Sequence, residues 1–221
     1  HKSVNPFNLP ESYANDYTPY EIKQSKILII SDLHFPYQNN KAIELALNYG
    51  LKKNANCLLI NGDLIDFATI SRHEKDWRAR TISQEFDAVR QFLVSDFQLE
   101  ILLRLGELKI ETIKDKRPIK IGHLTALHGH ELAGGAGGVN PARSTFLKTL
   151  DNVIVGHYHK TSNNTETTMT GNVISVNSVG CLCGLNPLYM PINKHNLGFA
   201  YVDLDIKTGN YQLENLKIKL K

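Results

Sequence analysis

Carboxylates and imidazoles recur in this sequence at the ends of apolar runs. Asp32 and His34 follow "KILIIS", Asp63 follows "CLLIN" and a glycine, His128 closes "LTAL", and His157 and His159 close "NVIVG". Taken singly, each is an ordinary turn residue, since Asp caps loops and Pro36 stops a strand. Four apolar segments that end in the same two residue types are poorly explained by four independent turns. Together these aspartates and histidines make a mixed oxygen and nitrogen donor set. Such a set suits Mn, Fe, Zn or Ni better than Ca or thiolate-bound zinc. It also exceeds what one ion needs. Two divalent ions sharing a bridging carboxylate would use it in full, and such pairs, about 3.5 to 4 Å apart, are a usual device for phosphoester hydrolysis. The ions neutralise phosphate charge and turn a bridging water into hydroxide near neutral pH, so no protein nucleophile is required. His130, two residues after His128, either touches the substrate phosphate or hydrogen-bonds a neighbouring loop, and its position favours the site.

The elements that must position these residues follow from hydrophobic periodicity. Ile27 to Ile30 carry no polar alternation, which predicts a central strand covered on both faces. Beyond it, strand alternation would send Asp32 and His34 one way and Leu33 inward. "NKAIELALNYGLKKN", with Ile43, Leu47 and Leu51 four apart, predicts a helix, and "CLLIN" a second strand parallel to the first. Ile82, Phe86, Val89 and Leu93 predict another helix. "IKIGHLTALHG" reads as a strand or hairpin, "NPARSTFLKTL" as a short helix, and "NVIVGHYH" as a strand ending in histidines. Residues 164–170, 172–178, 198–206 and 210–219 predict antiparallel strands that finish a second sheet. Carboxyl ends of parallel strands are where open α/β sheets place ligand sites. Gly62, just before Asp63, lets the backbone approach something closely.

In order and spacing, Asp-x-His at 32 and 34, Gly-Asp-x-x-Asp from 62 to 66, His128 before Gly129, and Gly-His-x-His from 156 to 159 resemble the calcineurin-like metallophosphoesterase family. The resemblance covers residues 26 to about 180. It implies an α/β fold, a two-sheet β sandwich flanked by helices, in an α/β/β/α arrangement. It further implies that Asp32, His34, Asp63 and His159 hold a first ion and that Asp63 bridges to a second held by His128 and His157. Asp66 becomes a supporting residue. The family's Asn-His pair, expected between Asp66 and His128 at the end of a third strand, is absent. That pair would complete the second metal site and protonate the leaving group. The helical stripe of residues 82 to 93 falls out of phase at Glu100 and Arg104. We therefore expect a segment carrying the pair to be missing from the chain near Asp96 and Phe97. Some relatives resembling the family use the sandwich as a non-catalytic scaffold, which is the alternative function.

Composition bounds the rest. The chain has 221 residues, 42% of them hydrophobic, enough for one substantial core. Residues 1–25 carry three prolines and no sustained period and read as a surface arm, with the domain spanning 26–221. A net charge of +3 is too mild to indicate nucleic acid as a partner without a concentrated patch, and no apolar stretch approaches the roughly 20 residues that cross a membrane. Cys57, Cys181 and Cys183 fit neither a disulfide framework nor a four-ligand zinc module, so buried thiols in a reducing, cytoplasmic compartment are expected. Among the other motifs, "SRHEKDWRAR" reads as a solvated helix surface, "AGGAGG" as a flexible loop, and His123 and His195 as structural.

Overall fold

Ile27, Leu28, Ile29 and Ile30 are fully buried, as a strand without polar alternation requires. The computed structural model describes residues 18–67, 81–94, 111, 113, 116–132, 138–188 and 190–220. Within them run β1 (Tyr20–Glu21), β2 (Lys26–Ile30), α1 (Asn40–Lys52), β3 (Cys57–Ile60), α2 (Ile82–Val94), β4 (Ile119–Ile121), β5 (Leu124–Leu127), α3 (Pro141–Thr149), β6 (Val153–Val155), β7 (Ser162–Thr167), β8 (Val173–Ser178), β9 (Gly198–Leu204) and β10 (Tyr211–Lys217). Local signals set the helix starts. Asn39 caps α1 by accepting from Ala42 N at 3.0 Å, and Asn140 caps α3 by accepting from Arg143 N at 3.1 Å, with Pro141 in the first turn.

Two mixed sheets result. One has the order β10-β9-β2-β3 and the other β1-β4-β5-β6-β8-β7. Three apolar clusters separate the layers. Ile27, Ile29 and Leu59 of the first sheet meet Ile121, Ala126 and Ile154 of the second. Leu28 and Ile30 face the other way, onto Ile43 and Leu47 of α1 and Val89 of α2. Val153, Val155 and Val176 pack against Ala142 of α3. The protein is thus a two-sheet sandwich with helices on both outer faces. Among the described residues no helix is long and apolar enough to cross a membrane.

Two sequence expectations change. Tyr20–Glu21, assigned to the arm, is an edge strand that pairs in parallel with β4. The β-rich tail does not finish one sheet. The β7–β8 hairpin extends the six-stranded sheet, whereas β9 inserts beside β2 and carries β10 with it. The reason is burial. In β9, "GFAYVDL" is buried at every position but Asp203 and can sit inside a sheet, while polar "SNNTET" of β7 suits an edge. The junction near Asp96 and Phe97 lies outside the described residues, as do "SRHEKDWRAR" apart from its surroundings and most of "AGGAGG".

Ile154 is fully buried between the sheets. Ile154→Ala should cost about 2–5 kcal/mol, through lost transfer free energy and the cavity left behind. Urea unfolding followed by tryptophan-independent circular dichroism would show it as a lower midpoint at unchanged slope.

Candidate metal centre

Asp32 and His34 follow β2, Asp63 follows β3, His128 follows β5, and His157 and His159 follow β6, so two pairs of parallel strands deliver them to one rim. The backbone there does not continue as strand. φ is 55° at Asp32, 49° at His34, 43° at Asp63, 65° at His157 and 52° at His159. A left-handed conformation costs a non-glycine residue roughly 1–2 kcal/mol, so it persists only where its surroundings over-determine it. Hydrogen bonds between successive loops supply that restraint: His34 N to Asp63 O at 2.9 Å, Leu182 N to Asp32 O at 3.2 Å, and Asn196 N to His159 O at 2.9 Å. Leu33 is buried as expected, but through turns rather than strand alternation.

Two glycines make room. At Gly62, with φ +84°, a Cβ would fall 2.2 Å from His128 Nδ1, and at Gly156 it would fall 2.1 Å from Ser31 Oγ. The close approach expected at Gly62 is therefore to an imidazole of the cluster itself.

The ligand atoms converge. Asp32, Asp63, His128 and His157 each offer one within 4.8 Å of the others, and His34, His159 and Cys183 form a second such group. Asp63 Oδ2 lies between them, 3.0 Å from His128 Nε2 and 3.9 Å from both His157 Nδ1 and His34 Nε2. His159 Nε2 is 3.2 Å from Asp32 Oδ1 and 3.3 Å from His34 Nε2. Asp32 Oδ1 and His128 Nε2 are nevertheless buried without a hydrogen-bond partner. Buried polar atoms left unsatisfied while facing one another are the arrangement that a divalent cation resolves, and the oxygen and nitrogen donors fit such a group.

An outer layer holds these atoms in place. Asp66 Oδ1 is 2.8 Å from His34 Nδ1, and the Asn61 carbonyl accepts from His128 Nδ1 at 2.8 Å, which turns both Nε2 atoms toward the centre. Asp32 Oδ2 accepts from Ser31 Oγ at 2.6 Å and from His157 N at 3.0 Å, leaving Oδ1 for the centre. Burial alone would raise both aspartates. For Asp32 it is outweighed by His159, His128 and Ser31, and for Asp63 by His128, His157 and His34, so both stay below their ordinary value. Burial likewise opposes charge on His128, but Asp63 and Asp32 push it up to about 9.

His130 lies beside the cluster, its ring 5.1 Å from that of His128 and 6.2 Å from that of His157. Three residues escaped the sequence reading of the site. Cys183, read as an ordinary buried thiol, has its sulfur 3.9 Å from His159 Nδ1. His195, read as structural, stacks edge-on against His159 with ring centroids 4.7 Å apart, and its Nδ1 is buried without a partner. Ser31 braces Asp32. The available signal was the spacing in "VGCLCG", which puts Cys181 and Cys183 on one side of an extended segment. His123 does take a structural role, with Nε2 3.0 Å from the Thr208 carbonyl far from this rim.

No protein-family model matches the sequence, and no curated protein matches it. Among solved structures, the chain is similar to wild-type Vps29 complexed with zinc from Entamoeba histolytica, with a TM-score of 0.43, 16% identity, and coverage of 87% of this chain and 98% of that one. It is also similar to a metallophosphoesterase from Sphaerobacter thermophilus, with a TM-score of 0.43, 18% identity and 89% coverage of each chain. Vps29 from Chaetomium thermophilum gives a TM-score of 0.44 at 13% identity, covering 87% and 97%.

Two measurements test this geometry. Gly62→Ala should displace His128 and lower the thermal midpoint by several degrees. Gly138→Ala, also at positive φ (+58°) but with nothing within 4 Å of the new Cβ, should cost only the backbone strain. Equal losses would mean that the contact with His128 does not matter. The second concerns pH. The folded-state value of His128, about 9, lies above its ordinary 6.5. Its contribution to the stability of metal-free protein is therefore complete below about 6.5 and lost as pH rises through about 9. Denaturant midpoints measured after chelation should fall across that window, and a flat profile would refute the ion-pair network.

Proposed function

We propose that the protein is a phosphoesterase that uses two divalent metal ions, Mn, Fe, Zn or Ni, and hydrolyses a phosphomonoester or phosphodiester. The observation that carries this reading is the place of Asp63. One carboxylate oxygen stands between a His34–His159 side and a His128–His157 side, as a carboxylate shared by two ions would. Asp32, His34 and His159 would hold the first ion, and His128 and His157 the second. When bound, the ions would supply positive charge to the phosphoryl oxygens and acidify the attacking water.

The chain's own part is positioning. Asp66 and Asn61 hold His34 and His128 with their Nε2 atoms inward, Ser31 and the His157 amide hold Asp32, and Leu33 and Phe35 anchor the loop of His34 in the helix-side core. His130 borders a groove with Asp63, His128, Lys116 and Arg117, where it would meet the phosphate. Lys116 and Arg117 share that wall with Glu111 and Glu131, so its charge is mixed. The three free cysteines support a reducing, cytoplasmic setting.

The absence of an Asn-His pair favours the second reading, a non-catalytic scaffold that keeps the sandwich. Manganese-dependent turnover of bis(p-nitrophenyl) phosphate separates the two, read together with metal content. Asp63→Asn should abolish activity and leave less than two ions bound, whereas Asp66→Asn should cost about 10–100-fold. Two bound ions with no turnover on mono- or diesters would favour the scaffold. Equal losses at Asp63 and Asp66 would remove the bridging role.

A further inference from the structure

Each buried imidazole of the cluster turns one nitrogen inward and one outward. The outward atoms of His34 and His128 meet Asp66 and the Asn61 carbonyl, both at 2.8 Å. His159 turns Nε2 toward Asp32 and His34, and its Nδ1 meets the Cys183 sulfur at 3.9 Å, within reach for a weak hydrogen bond to sulfur. Exposure here is slight, 7% for His159, 5% for Cys183 and none for Cys181, so the protein itself must supply the partner of that ring nitrogen. Behind Cys183, the Cys181 sulfur lies 3.7 Å from the Asn196 carbonyl.

We propose that Cys183 is a positioning residue whose sulfur accepts the Nδ1–H of His159 and so fixes the tautomer that presents Nε2 to a bound ion. The inference rests on the binuclear reading above. It gives the outward N–H of His159 an acceptor inside a buried corner. His159 Nδ1–H goes to Cys183, and the Cys181 S–H goes to the Asn196 carbonyl. A metal-ligating histidine normally gives its second N–H to a carboxylate or carbonyl. Here a thiol fills that role, which explains why "CLC" sits beside the site. The rival role for the sulfur is direct ligation. The sulfur does lie within 4.8 Å of a ligand nitrogen of both His34 and His159, but the hydrogen-bond contact it makes is to His159 Nδ1, whereas Nε2 is the atom that faces Asp32 and His34.

The test uses the full chain loaded with zinc, and the Cys183→Ala and Cys183→Ser variants. Nitrogen-15 NMR of the histidines should show His159 protonated on Nδ1 in the unaltered protein. Chelator competition should show Cys183→Ala binding one of two ions about 10–100-fold more weakly, with a shifted His159 Nδ1 resonance. Cys183→Ser, which keeps a hydroxyl acceptor, should recover most of both. A His159 protonated on Nε2 in the unaltered protein would overturn the proposal with no variant needed, as would unchanged affinity and resonance in Cys183→Ala. So would a thiolate-to-cobalt charge-transfer band in the cobalt-substituted protein, which would make the sulfur a ligand. Failure of the unaltered protein to bind zinc at all would instead bring down the binuclear reading, and this inference with it.

Discussion

The carboxylate of Asp32 is fully buried, and the arrangement of the rim depends on compensating it. A carboxylate taken from water without partners costs several kcal/mol or more. Oδ2 is answered by the Ser31 hydroxyl and the His157 amide, and Oδ1 faces His159 and His128. Those partners come from different strand ends in both sheets. Satisfying one charge therefore fixes how β2, β5 and β6 terminate relative to one another. Ser31 extends the constraint, because its hydroxyl also lies 2.8 Å from the Asn61 carbonyl, the same carbonyl that accepts from His128.

The sandwich makes that convergence affordable in conformational terms. Alternate residues of β2 serve two different cores, Ile27 and Ile29 toward the second sheet and Leu28 and Ile30 toward the helices. A slip by one residue would exchange the side chains that serve the two cores and drive Lys26 into a buried position, so the register is specified. The loop that follows therefore starts from a fixed point, and left-handed residues at Asp32 and His34 can be maintained there. The same argument applies to β6, whose Val153 and Val155 pack on α3 while Ile154 enters the inter-sheet core. Backbone strain concentrates where the metal ligands would lie, and the apolar layers beneath it supply the opposing stability.

Electrostatics at the rim follows from burial and mutual proximity. Acidic groups held low and an imidazole held high form a charged network that stabilises the rim. Outer hydrogen bonds to Asp66, Asn61 and Cys183 decide which nitrogen of each ring faces inward. The chemistry assigned to the site under the phosphoesterase reading depends as much on these partners as on the inner six.

Much of this was legible from local pattern. Four apolar runs ending in Asp or His, the α1 and α2 periodicities and the need for Gly62 all depend on short-range order, which a sequence records directly. A second sheet was legible from the β-rich tail, and its stacking as a sandwich through a resemblance carried by motif spacing. What tertiary structure alone decided was pairing across distance. It set β9 beside β2, divided the tail between sheets, recruited Tyr20–Glu21 as an edge strand, and brought Cys183 and His195 against His159. The physical reason is that a strand's neighbours and a buried atom's partner are chosen by which surfaces can be covered and which donors remain unmet. Those quantities exist only once the chain is folded.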